Sequence, residues 1–105
     1  VVKKKLAVHW DEQAVEDLKA ICQYIKKESP DGAERVKKEL LRLAKSLGAF
    51  PEKYPVEPLL KDSKGNYRSV AKWHYKIIYE LTENEVIILM IFHTRQNPAT
   101  INKKK

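Results

Sequence analysis

Arg68, Lys76, His93 and Arg95, all in the C-terminal half of the chain, carry side chains suited to phosphate chemistry. Arginine offers a rigid fork of donors and lysine a point charge. Histidine titrates near neutrality, so it can give or take a proton. Such a set matches what a metal-free ribonuclease needs: a group that removes the 2′-hydroxyl proton, cations on the phosphorane, and an acid for the leaving oxygen. Each residue also has a plainer role. A lysine or arginine on a sheet edge stays solvated and discourages edge-to-edge pairing, and a lone histidine serves as a structural hydrogen-bonding group. Other chemistries find less support. Three glycines do not make a phosphate-cradling loop. His9 and His74 are scattered and no Cys/His ligand spacing occurs, so no metal or other cofactor is expected. The single cysteine, Cys22, has no internal disulfide partner and falls on an apolar helix face as a packing residue.

The elements that position these groups read clearly. Val86 to Phe92 is an unbroken apolar run rich in Val and Ile, which predicts a strand covered on both faces. It belongs to a fourth strand over residues 85–94, preceded by a second (67–72) and a third (75–81) with short turns between them, so the three form an antiparallel meander. Alternation puts Ile87, Leu89, Ile91, His93 and Arg95 on one face of the fourth strand and Val86, Ile88, Met90, Phe92 and Thr94 on the other. On that basis Arg68, Lys76, His93 and Arg95 are candidates to converge at one end of the sheet.

Upstream, residues 5–10 predict a first strand. Asp11 then caps a helix over residues 12–27, with Trp10 and Val15 placed as a hydrophobic staple. Acidic Glu12, Glu16 and Asp17 complement the positive helix end. Ala14, Leu18, Ile21, Cys22 and Ile25 make one apolar face. Ser29-Pro30 restarts a second helix, whose apolar face is Ala33, Val36, Leu40, Leu43, Ala44 and Leu47, and Gly48 ends it. Two such helices with a short join predict an antiparallel hairpin lying on the sheet. Residues 49–66 hold three prolines and predict an ordered loop, pinned by Phe50, Tyr54, Val56, Leu59 and Leu60. The expected whole is a single α+β domain over residues 1–105, with 101–105 a basic tail.

Charge narrows the partners. The net charge is +7 over 105 residues. The excess sits in residues 1–10, with three lysines and no acid, and in 64–105, with eight bases against three acids; residues 11–47 balance at eight each. A basic sheet segment favours nucleic acid or an acidic protein partner. No apolar run approaches the length of a membrane span, and one unpaired cysteine fits the reducing cytosol.

The order strand, helical hairpin, loop, meander resembles the RelE/ParE superfamily of type II toxin–antitoxin toxins. The local strings resemble it as well: Trp10-Asp11 with Ala14, Asp17 and Leu18, Ser29-Pro30 with Ala33, Phe50-Pro51, Tyr67-Arg68, Tyr75 to Tyr79, and Ile91 to Pro98. The resemblance covers about residues 5 to 100. It implies a cognate antitoxin, for which Ile25, Leu40, Tyr67 and Trp73 are the expected contacts, and one of two targets. RelE-like members cut messenger RNA on the ribosome, and ParE-like members poison DNA gyrase. The nuclease branch has basic positions matched by Arg68, Lys76 and Arg95. A further basic position is Val70 here, and a tyrosine position is Ile101. Those two departures, the long first helix and the basic end favour a gyrase poison of a plasmid-stabilising module, docking through Lys72, Arg95, Gln96 and Asn97. The ribosome-dependent nuclease and a non-toxic binding module on the same fold are the alternatives.

Overall fold

Seven successive apolar residues on one strand call for cover on both faces, and the fold supplies it in full on one. Val86, Ile88 and Ile91 are buried under the helices, whereas Met90 is buried on the other side and Ile87, Leu89 and Phe92 are half-buried. The computed structural model describes residues 5–94. In order it comprises β1 (Ala7–Trp10), α1 (Glu12–Lys26), α2 (Pro30–Ser46), β2 (Tyr67–Lys72), β3 (Tyr75–Leu81) and β4 (Glu85–His93), with a 3-10 turn at Pro58–Leu60. The strands form one sheet in the order β1-β4-β3-β2. β1 runs parallel to β4, while β2, β3 and β4 form the antiparallel meander. The class is α+β, as the sequence implies.

Local chemistry sets the helix ends. The Asp11 carboxylate accepts from the Gln13 N–H at 3.1 Å, and the Ser29 hydroxyl from the Gly32 N–H at 2.9 Å, each satisfying a donor that the helix itself cannot. Pro30 occupies the start of α2, where a missing N–H is harmless. Val15 stays exposed. Gly48 has a different task from the one its position suggests. Its φ is not positive, so it makes no left-handed cap. Instead it packs against β1's entry, where a Cβ would stand 2.4 Å from the Leu6 carbonyl oxygen and the Leu6 N–H donates to Gly48 O at 2.9 Å.

Both helices lie on one sheet face. Ala14, Leu40, Leu43, Ala44 and Leu47 pack with Val70, Ile77, Tyr79, Val86, Ile88 and Ile91. Strict alternation would put Val86 and Ile88 on the face opposite Ile91. A register shift resolves the conflict: Tyr79 pairs with Ile88 but Ile78 with Met90, leaving Leu89 as an extra residue. After this bulge the faces switch, so Ile91 and His93 join Val86 and Ile88 under the helices. Met90 then joins Ile78, Tyr67 and Leu60 on the other side. The facial assignment drawn from alternation is therefore corrected from Leu89 onward.

Asp17 closes the gap this geometry opens. β1 ends at Trp10, opposite Ile88, so β4 continues past its neighbour. The Ile91 N–H donates to the Asp17 carboxylate at 3.0 Å, and Gln13 Nε2 holds the other carboxylate oxygen at 2.7 Å. The loop flanks β2 in the same spirit. Val56 bridges Arg68, Glu57 N donates to Tyr67 O at 2.9 Å, and Ser69 N donates to Pro55 O at 3.2 Å. Of its expected pins, Leu60 is buried and Tyr54 packs on the core, whereas Phe50, Val56 and Leu59 are exposed. Among the described residues no helix is long and apolar enough to cross a membrane.

Candidate functional site

The register decides which cations meet. Arg68 stands opposite Tyr79, Lys76 opposite Ala71 and Phe92, and His93 opposite Tyr75. Paired residues share a face, so Arg68 and His93 lie on the helix side and Lys76 on the other. Arg68 and His93 are further separated along the sheet: four pair positions divide Arg68 from Lys72, roughly 13 Å at strand rise. The convergence that alternation allowed does not occur among Arg68, Lys76 and His93. Arg95, Gln96, Asn97 and Ile101 lie outside the described residues.

Each of these groups is engaged. Arg68 donates to the Tyr54 carbonyl oxygen at 2.6 Å and to the Asn66 side-chain oxygen at 3.1 Å, tying both ends of the loop to β2. Lys76 forms an ion pair with Glu57 at 2.6 Å, and Glu57 is completely buried. Burial pushes the Glu57 carboxyl up. Hydrogen bonds from Lys76, the Leu59 N–H and Ser69 more than reverse this and hold it below its ordinary value. His93 stacks on His74, ring centroids 5.5 Å apart at 19°, and meets Tyr75 edge-on at 5.5 Å. Val70 is buried in the core, so the position where the nuclease branch carries a base is apolar packing here.

Two grooves mark the surface of the described residues. The first is a groove of about 610 Å³ on the outer side of the helical hairpin. Val15, Leu18, Cys22, Ala33 and Leu41 floor it, and Lys19, Lys26 and Lys37 stand with Glu34 among its lining residues. Cys22 is half-buried, and burial pushes its thiol up, away from thiolate chemistry. The second, about 590 Å³, lies between α2 and the β2–β3 turn. Asp31, Glu34, Glu39 and Arg42 contribute from α2, and Lys72 and Trp73 from the turn. Glu39 is bridged by Arg42 and by Lys72, the latter at 3.5 Å. The hydrogen bond from Arg42 lowers its carboxyl to about 2.

The expected antitoxin contacts divide by exposure. Leu40 is fully buried and Tyr67 is 7% exposed, so both are core residues and offer a partner no surface: a correction to the sequence reading. Helical and strand periodicity marked both as apolar without saying that the core takes them. Ile25 is half-buried and Trp73 is 52% exposed. Trp73 also has φ of 55°, where non-glycine residues cost of order 1–3 kcal/mol. Glu57 and the strand-capping role of Asp17 escaped the sequence reading. The one hint at Glu57 is its place ahead of Pro58, as cap of a short turn. Among the described residues no group of three or more metal-ligating side chains assembles.

Among the described residues, Arg68 and Lys76 are thus held in contacts with the loop. Among known families, that of the ParE toxin of the type II toxin–antitoxin system parDE matches residues 8–98. The chain belongs to that family, within the RelE/ParE superfamily. No curated protein matches it. Among solved structures it is similar to one described as the chromosomal ParDE TA system from P. aeruginosa, with TM-score 0.70 and 20% identity over 85% of this chain and 96% of that one. It is also similar to the YoeB dimer from Staphylococcus aureus, with TM-score 0.56 and 21% identity over 83% and 94%. At these identities the two structures speak for the fold alone.

Proposed function

We propose that this chain is a ParE-type toxin that poisons DNA gyrase in the cytoplasm and is neutralised by a cognate antitoxin. The observation that carries the reading is the separation of Arg68, Lys76 and His93 within a chain of the ParE family. Two of the cations a nuclease would need are bound to the loop, by Tyr54 and Asn66 for Arg68 and by Glu57 for Lys76. Phosphoryl chemistry requires such groups to be aimed at one reacting centre. Lys72 and, beyond the described residues, Arg95, Gln96 and Asn97 form the gyrase-docking end in this reading.

The antitoxin occupies the outer groove of the helical hairpin. Support comes from its apolar floor and its three lysines against one glutamate, which suit an amphipathic helix carrying acids along its flanks. Ile25 is exposed enough to extend that contact, whereas Leu40 and Tyr67 are not.

Two assays on one preparation test this. Supercoiled plasmid with gyrase is expected to accumulate trapped, cleaved DNA. Programmed ribosomes with labelled message are expected to show no cleavage. Codon-dependent cleavage that disappears in Arg95→Ala would replace the gyrase reading with the nuclease one, and inactivity in both assays would leave a binding module.

A further inference from the structure

We propose that Trp73 is the anchor by which this chain docks on its protein target, with the groove between α2 and the β2–β3 turn receiving an acidic segment of that target. The inference rests on the gyrase reading only for the name of the target.

Trp73 and His74 alone connect Lys72 to Tyr75, and of the two only Trp73 has positive φ. Tight hairpin turns of this kind favour glycine or asparagine at such a position. Core packing does not explain tryptophan there: it is half-exposed and belongs to neither hydrophobic cluster. Backbone strain retained for the sake of an exposed aromatic side chain points to a use outside the fold. Exposed tryptophan beside arginine is also the composition of an interface hot spot.

The ring is oriented before any partner arrives. Lys72 Nζ lies 5.1 Å from its centroid, and Glu39 on α2 holds that same ammonium. Such preorganisation lowers the ordering cost of binding. The charge pattern then selects the partner. Four cations and three carboxylates line the groove. A nucleic-acid backbone presents the same negative charge at every step, and three carboxylates oppose it. A protein surface can match both signs, and the one-cation excess favours a segment richer in acids.

Trp73→Gly is the test, because glycine takes a positive φ freely. The variant is expected to melt at or above the wild-type temperature and to bind the antitoxin within threefold of wild type. It should be at least tenfold weaker both in arresting growth and in trapping gyrase-cleaved plasmid. Trp73→Asn, which tolerates the same backbone, is expected to behave alike. Wild-type growth arrest by either variant overturns the proposal. So does antitoxin affinity that falls in step with toxicity, which would assign Trp73 to the antitoxin. Loss of wild-type affinity for a single-stranded oligonucleotide overturns it in favour of nucleic acid. A variant that melts well below wild type overturns it in favour of a folding role. Should the wild type arrest growth without trapping plasmid, gyrase falls as the target while growth arrest by the variants still decides the anchor. A wild type that arrests nothing overturns both readings.

Discussion

Lys76 and Lys72 sit four residues apart on adjoining strands, and their fates are opposite. Lys76 faces away from the helices and meets a carboxylate with no solvent exposure. Lys72 faces α2, shares Glu39 with Arg42 at the rim of a groove, and lies against an exposed indole. One region uses its charge to fasten a loop, and the other presents charge at the surface. A basic segment read from sequence is thus two things at once, and only the environment of each ammonium tells them apart.

The sharpest way to break this contrast is to remove Lys76. Lys76→Ala leaves Glu57 as an uncompensated buried charge, and breaking such a pair on one side typically costs about 3–5 kcal/mol. That is a large share of the stability of a domain this size. The urea midpoint should fall accordingly. The double variant Lys76→Met with Glu57→Gln should recover much of the loss, because it leaves no bare charge. A Lys76→Ala chain as stable as wild type would place Lys76 with the surface lysines.

pH probes the same pair without mutation. The folded Glu57 carboxyl is held below its ordinary value, so the unfolded chain binds the proton more readily. Its contribution is therefore fully present above the unfolded value, near pH 4.3, and is lost as pH falls through the folded value. Stability measured by urea unfolding should decline with acid in the wild type. The Glu57→Gln chain should show a shallower acid limb.

A smaller effect is expected at Asp17, which accepts from the Ile91 N–H where β1 no longer flanks β4. Asp17→Ala leaves that donor without its acceptor, at about 1–3 kcal/mol. Hydrogen exchange at Ile91 should accelerate more than at Ile88, which lies beside β1. Equal acceleration along the whole strand would assign Asp17 to global stability alone.

These residues also mark where the sequence was legible. Helix caps at Asp11 and Ser29, both apolar helix faces and the three strands of the meander follow from local pattern, and local pattern is what fixes them. Register is different. The extra residue at Leu89 reverses the face of His93, and nothing in an unbroken apolar run distinguishes that residue from its neighbours. The supposed cluster of Arg68, Lys76 and His93 failed for this kind of reason: partners are assigned across strands and loops. Tyr54, Asn66 and Glu57, which engage Arg68 and Lys76, come from a loop whose path depends on the finished sheet. Leu40 and Tyr67 show the complementary error, since an apolar side chain on a periodic face serves the core before it serves a partner.

The least effect on stability is expected at Glu39, and it sharpens the contrast most. Its carboxyl stands at about 2 because Arg42 donates to it, with Lys72 adding attraction. A lowered value implies a contribution lost as pH falls toward 2, the same sign as for Glu57. The setting differs, however. Arg42 and Lys72 are partly open to solvent, so salt screens their attraction and little stability survives. Glu39→Gln should leave the urea midpoint within error of wild type. A carboxyl titration followed by NMR should show the Glu39 midpoint rising toward the ordinary range as salt increases, while that of Glu57 stays put under its loop. If Glu39 instead resists salt as Glu57 does, the groove beside Trp73 is a sealed structural contact, and Lys72 belongs with Lys76 after all.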